Sequence, residues 1–169
     1  RTLLLGPETH ERYEREAADK KQGKSTDPHL KSSWGQFSEA EFREHVKRSL
    51  PRGFDHNTQE CTILDVGCGV GAALKVAKSV CPRAKLYGCD FSATALRTKA
   101  IEFESCYCHL PDLCHYQDNQ FDYVMSIGAV GMYLSPCKMR RAVSEILRVM
   151  KMGGEACISD FALTNSEST

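Results

Sequence analysis

The stretch Ile63-Leu64-Asp65-Val66-Gly67-Cys68-Gly69-Val70-Gly71 is where residue types and spacing first suggest chemistry. It reads as an apolar strand running into a glycine-rich turn that opens a helix. Gly67, Gly69 and Gly71 let the backbone pass close to a ligand and adopt positive φ, where a Cβ would collide. The turn alone serves two ligand classes, because Gly67, Gly69 and Ala72 also satisfy the G-x-G-x-x-A pattern that holds a dinucleotide pyrophosphate at a helix N-terminus. Asp65 separates them. A carboxylate two residues before the first glycine would lie beside an anionic pyrophosphate, which is electrostatically unfavourable, whereas a cationic amino-acid ligand gains from it.

S-adenosylmethionine is such a ligand: it carries a sulfonium and an α-ammonium and no phosphate, so Asp65 can hold its methionine end directly or through water. A second apolar run, 84–89, ends at Asp90, nineteen residues after Gly71, where a carboxylate can accept from both hydroxyls of a ribose. Dinucleotide enzymes place an acid there too, so Asp90 does not discriminate. After a third run, Pro111-Asp112-Leu113 is placed to meet an adenine amino group with Asp112 and its ring with Leu113. The expected cofactor-binding set is Asp65, Gly67, Cys68 (through its backbone), Gly69, Gly71, Asp90, Phe91, Asp112, Leu113 and Ser126. The bland alternative is that Asp90 or Asp112 merely caps a turn, as most loop aspartates do.

The elements that must position these residues follow from patterning. From Cys61 onward apolar runs alternate with helical segments, the signature of βαβ units and a mostly parallel sheet. Strands are expected at 61–66, 84–89, 105–109, 121–126 and 155–161. Helices fall at about 70–80, 92–103 behind a Ser92 cap, and 136–150 behind Ser135 and Pro136. Upstream, residues 1–58 are polar and poorly patterned and read as a lead or lid segment, with 59–169 forming the core domain. Within the lead, Ser38 and Glu41 form a capping box, and Phe42, Val46 and Leu50 recur at helical spacing up to Pro51.

In this order the motifs resemble those of the class I, Rossmann-like S-adenosylmethionine-dependent methyltransferases. Asp65–Gly71 is similar to the family's first motif and Asp90 to its ribose-binding acid. Phe121-Asp122-Tyr123-Val124-Met125-Ser126 resembles the fourth strand, and Glu145–Gly154 resembles the helix that ends in Lys-Pro-Gly-Gly before strand five. Met152 stands where proline is usual, a change expected to loosen the turn without harming the site. The resemblance implies an α/β fold, a doubly wound sheet in the order 3-2-1-4-5, with S-adenosylmethionine as cofactor and S-adenosylhomocysteine as product. It also implies that the acceptor lies over the carboxyl end of strand four, at 126–133. The Asn/Asp-Pro-Pro-Tyr signature of enzymes acting on amide or adenine nitrogens is absent there, and Gly128, Ala129 and Gly131 leave space. Tyr133, or Tyr13 and Trp34 from the lead, could orient the acceptor, though each equally suits packing. No catalytic residue is singled out. The family's sheet usually continues past strand five, whereas this chain stops eight residues after Phe161, so strand five is expected to be an exposed edge, paired by Thr2–Leu5 or in a homodimer.

Composition narrows the partners. Among 169 residues, 22 Lys plus Arg balance 22 Asp plus Glu, so no global field attracts nucleic acid or anionic lipid. A small-molecule or protein methyl acceptor is expected. No apolar run approaches the roughly 20 residues needed to cross a bilayer, and a cytoplasmic chain is expected. Nine cysteines, an odd number scattered through apolar runs, read as reduced thiols. The group Cys106, Cys108, His109, Cys114 and His115 fits no common zinc spacing, and no metal is expected. Two other functions remain open from sequence: a non-catalytic methyltransferase-like module and a nicotinamide-dependent oxidoreductase.

Overall fold

The structure is a computed structural model and describes residues 38–51 and 60–159. The elements run α1 (Glu39–Ser49), β1 (Thr62–Val66), α2 (Ala72–Val80), β2 (Lys85–Asp90), α3 (Ala93–Arg97), β3 (Glu104–Tyr107), β4 (Phe121–Ile127), α4 (Val130–Tyr133), α5 (Pro136–Val149) and β5 (Met150–Ser159). The five strands pair in parallel in the order β3-β2-β1-β4-β5. The order reverses between β1 and β4, and in open sheets of this kind ligands bind in the crevice outside the strand carboxyl ends at such a point.

Alternation along the strands segregates two apolar clusters, one on each face. Ile63, Tyr123 and Met125 pack with Phe42 and Val46 of α1 and Leu74 and Ala77 of α2. Leu64, Val66, Phe121 and Val124 pack with Ile146 and Val149 of α5. Each such buried side chain contributes roughly 1.5–3 kcal/mol relative to exposure, so the two clusters anchor the strands whose ends carry the site. The α1 cap forms as read from sequence: Ser38 Oγ accepts from Glu41 N at 3.3 Å, and Glu41 accepts from Ser38 N at 2.7 Å.

Several details differ from the sequence reading, among them that β3 spans Glu104–Tyr107 rather than 105–109 and that Ser135 makes no side-chain cap bond. Helix α2 starts at Ala72 rather than near 70, because Gly71 is its N-cap with φ +85 and the loop consumes the preceding residues. Helix α3 stops at Arg97, not 103: Ala100 N donates to Val70 O at 2.7 Å, which brings Phe103 against the glycine loop. The short helix α4 has no distinct apolar period and no counterpart in the sequence pattern. Strand β5 already begins at Met150, but its register slips, since Phe121 faces Met150 while Tyr123 faces Glu155. The Lys-Met-Gly-Gly turn is therefore looped out of the ladder, with Gly153 at φ +78 and Met152 projecting into solvent.

The expectations for Tyr13, Trp34, Thr2–Leu5 and the 58/59 boundary lie outside the described residues. Among the described residues no helix is long and apolar enough to cross a membrane, and no group of three or more His, Cys, Asp or Glu could hold a metal ion. Cys106 and Cys108 both pack in the α5-side cluster.

Candidate functional site

The loop after β1 is bound to the end of β2 by its own backbone. Gly67 N and Cys68 N both donate to Cys89 O, at 2.8 and 3.0 Å, and Gly71 N closes the turn on Cys68 O at 2.8 Å. The three glycines have φ of +82, +53 and +85. Only glycine meets the steric demand as well: a Cβ on Gly67 would lie 2.3 Å from that of Ala129, and one on Gly71 would lie 2.6 Å from the Phe103 ring.

Asp90 is buried at the tip of β2 and latches this loop. Its Oδ2 accepts from Gly69 N and its Oδ1 from Ser92 N, both at 2.8 Å. A carboxylate offers about four acceptor directions, so these two amides aim the group. Asp65 is the opposite case. It is 2% exposed, and burial first, then the charge of Asp90, push its carboxyl up to about 8, with no hydrogen bond from the described residues acting on it. A buried acid without a hydrogen-bonding partner is costly unless a cation or donor reaches it. That unmet demand, beside a glycine cradle, is what a ligand with an ammonium group would satisfy.

Asp65, the three loop glycines, Cys68, Asp90 and Phe91 are thus brought together at the carboxyl ends of β1 and β2. Cys68 is buried, and burial raises its thiol well above the usual range, which leaves its backbone as what it offers. Ser126 is fully buried and donates to Val66 O at 3.0 Å, tying β4 to the loop from beneath. Asp112 is half exposed and ion-paired with Arg141. Leu113 is fully buried in the α5-side cluster with its amide on Glu145 at 3.1 Å.

The β3 end also brings Tyr107 and His109, neither of which is in the expected cofactor set, beside Phe91. The Phe91 and His109 rings are stacked with centroids 6.4 Å apart and planes 28° apart. His109 Nε2 lies 2.8 Å from the Tyr107 hydroxyl. The signal was present in the period of two, which sets Tyr107 and His109 on one face and Cys106 and Cys108 on the other.

Residues 63–154, more than half of the chain, match the family model described as a methyltransferase domain. The chain belongs to this methyltransferase family. It is similar to the mouse tRNA N(3)-cytidine methyltransferase METTL2, 32% identical over 111 residues, covering 59% of this chain and 28% of that protein. It is also similar to the Synechocystis 2-phytyl-1,4-naphtoquinone methyltransferase, 36% identical over 109 residues, covering 59% of this chain and 44% of the relative. The chain therefore spans less than half the length of these curated relatives. Among solved structures, a Methanococcus maripaludis S-adenosyl-L-methionine-dependent methyltransferase superposes with a TM-score of 0.60 at 18% identity, over 86% of this chain and 62% of that one. A Haloferax volcanii methyltransferase in complex with the Trm112 methyltransferase activator gives 0.62 at 20% identity, over 86% and 58%. These likenesses show the class I methyltransferase fold. Family and fold together imply S-adenosylmethionine as methyl donor, and the buried acid Asp65 beside the cradle fits its cationic end.

Proposed function

We propose that this chain is an S-adenosylmethionine-dependent methyltransferase acting on a small-molecule or protein acceptor, with the cofactor held by Asp65, the Gly67–Gly71 loop, Asp90 and Phe91. The observation that carries this reading is the buried Asp65, without a hydrogen bond from the described residues, beside a loop whose Gly67 and Gly71 leave no room for a Cβ. Asp65 would take the α-ammonium of the cofactor, and Asp90 would accept from the ribose hydroxyls. The bound donor supplies a methyl group activated by a sulfonium, open to a single in-line displacement. The protein's contribution is then alignment and exclusion of water rather than proton chemistry. Ala129, packed on Gly67, joins the cofactor loop to the segment after β4, so an acceptor seated there would face the methyl. The zero net charge and the unadorned Gly128-Ala129 backbone favour a neutral, modest-sized acceptor over a polyanion.

Isothermal titration with S-adenosylmethionine, S-adenosylhomocysteine and NAD, followed by a labelled-methyl screen of metabolite, protein and tRNA fractions, tests the reading. Binding of the first two and label in the metabolite or protein fraction are expected. Binding of NAD alone would overturn the cofactor. Label confined to tRNA would overturn the acceptor class, and cofactor binding without transfer to any fraction would favour a non-catalytic module.

The same reading extends to association. Among the described residues β5 is an edge strand with Ile158 partly exposed, and unpaired strand edges are templates for another strand. Pairing of two copies along β5 is the proposed form, and a monomer by light scattering at all concentrations would refute it.

A further inference from the structure

Tyr123 bears a polar atom that the packing around β4 does not use. The residue is 2% exposed, on the face of the sheet that α1 and α2 cover, yet its hydroxyl is the only buried side-chain nitrogen or oxygen among the described residues without a hydrogen-bond partner. Phenylalanine would fill the same space without burying an idle hydroxyl. The strand register shows what lies near it. Ile63, Tyr123 and Glu155 form one row across β1, β4 and β5, and Asp65, Met125 and Cys157 form the next row toward the carboxyl ends. Alternation sets both rows on the same face. From Tyr123 to Asp65 is then a diagonal of about 8 Å between Cα atoms, which the two side chains together can span. Burial first, then Cys157, Glu155 and Asp65, hold the Tyr123 phenol above its usual range, so the hydroxyl lies within electrostatic range of that second row.

Resting on the cofactor reading, we infer that Tyr123 is the positioning residue for Asp65: its hydroxyl donates to the Asp65 carboxylate, directly or across one water, once a bound ammonium ionises that acid. In the ligand-free protein Asp65 keeps its proton below about pH 8, and a neutral carboxyl accepts only weakly. When the ammonium arrives, that proton leaves to solvent and the group becomes a pure acceptor with about four directions. The ammonium takes the side open to the crevice, and the sheet side then needs a donor. Amides of β1 and β4 are engaged in strand pairing, and the Cys68 thiol donates to Gly69 O. The Tyr123 hydroxyl therefore holds the unspent proton. Of the other titratable groups, Asp90 faces Asp65 from the tip of β2 and Cys68 from the loop, while Cys157 and Glu155 face Tyr123 from β5. From α1 and α2 this face is met by the apolar Phe42, Val46, Leu74 and Ala77.

Calorimetric titration of S-adenosylhomocysteine into the whole chain, with wild type and Tyr123→Phe compared on either side of the Asp65 value, tests this. At about pH 6 the acid is protonated when free and ionised in the complex, so the hydroxyl contributes to the complex alone. Tyr123→Phe should there weaken binding at least about tenfold. At about pH 9 the acid is ionised in both states, the hydroxyl acts in both, and the loss should shrink to within about threefold. Titration of the ligand's own amine is common to the two chains and cancels in their ratio. With 5′-methylthioadenosine, which lacks the amino-acid end, and in an Asp65→Asn background, Tyr123→Phe should cost no more than about threefold at either pH. A loss of the same size at both pH values, one shared by 5′-methylthioadenosine, one retained in Asp65→Asn, or unchanged binding of Tyr123→Phe at about pH 6 would each overturn the role of Tyr123 while leaving the cofactor reading standing. Wild-type chain that binds neither S-adenosylmethionine nor S-adenosylhomocysteine would instead remove both. Should Tyr123→Phe fail to fold by circular dichroism, Tyr123→Leu, which also lacks the hydroxyl, is read on the same criteria.

Discussion

Asp65→Asn separates the cost of the buried acid from its use. The Asp65 carboxyl is pushed up to about 8, chiefly by burial, whereas an unfolded aspartate titrates near 3.9. Between these values the folded chain holds a proton that the unfolded chain has released. Stability must therefore fall as pH rises through that window and level off above about pH 8. The slope approaches 1.36 kcal/mol per pH unit, and with the flattening near the folded value the loss from pH 6 to pH 8 is about 2 kcal/mol. In a chain of this size that corresponds to about 4–8 °C in Tm. Asparagine preserves the shape and cannot titrate. It leaves buried amide hydrogens of its own, so the diagnostic quantity is the pH slope rather than the absolute Tm. Thermal unfolding without ligand should show the variant gaining on wild type by about 2 kcal/mol between pH 6 and pH 8. Histidine contributions cancel in that difference. Parallel Tm curves for the two proteins across this range would refute the reasoning. With ligand, the cation that lowers the Asp65 pKa makes binding release a proton. Wild-type affinity for S-adenosylmethionine should then rise toward pH 8, and the extra rise should vanish in Asp65→Asn.

Asp90→Asn replaces an acceptor of two amides with a side chain that can accept only through one oxygen. It is expected to weaken S-adenosylmethionine binding more than tenfold and also to lower stability by about 1–3 kcal/mol, read by titration and urea denaturation. Gly67→Val places side-chain atoms against Ala129 at a positive φ and should abolish binding. Cys68→Ser should bind normally in the same titration, its hydroxyl donating to Gly69 O where the thiol now does. Arg148 donates to Glu145, Asp118 and the carbonyls of Leu113 and Tyr116. Arg148→Lys keeps the charge but cannot span that fork, and a loss of about 1–3 kcal/mol in urea denaturation is expected.

Local signals make much of the fold legible in the sequence. The capping box at Ser38, the glycine-rich turn after β1 and Pro136 at the first position of α5 act within a few residues, and each forms as read. The sheet order came from resemblance rather than patterning, because periodicity says which face a side chain takes and not which strand lies beside it. Helix α3 ends earlier than its sequence suggests for a related reason: 98–103 has helical composition, yet Phe103 is drawn to cover Gly71 and Gly88. The β5 register slip is not legible in the sequence, because a looped-out Lys-Met-Gly-Gly and a simple turn have the same local sequence.

For the site, the sequence by itself determined which residue types are offered: glycines where no Cβ fits, and acids at two strand ends. Those follow from backbone sterics and charge, properties that residues carry with them. Which distant groups each of these residues meets is decided only by tertiary structure. Arg141 of α5, distant in sequence, engages Asp112; the α5-side cluster takes Leu113; and the hydrogen bond from Cys108 to Asp90 brings His109 beside Phe91. Each outcome depends on a partner supplied by another strand or helix, and a pairing between distant segments is set by packing that no single stretch of sequence encodes.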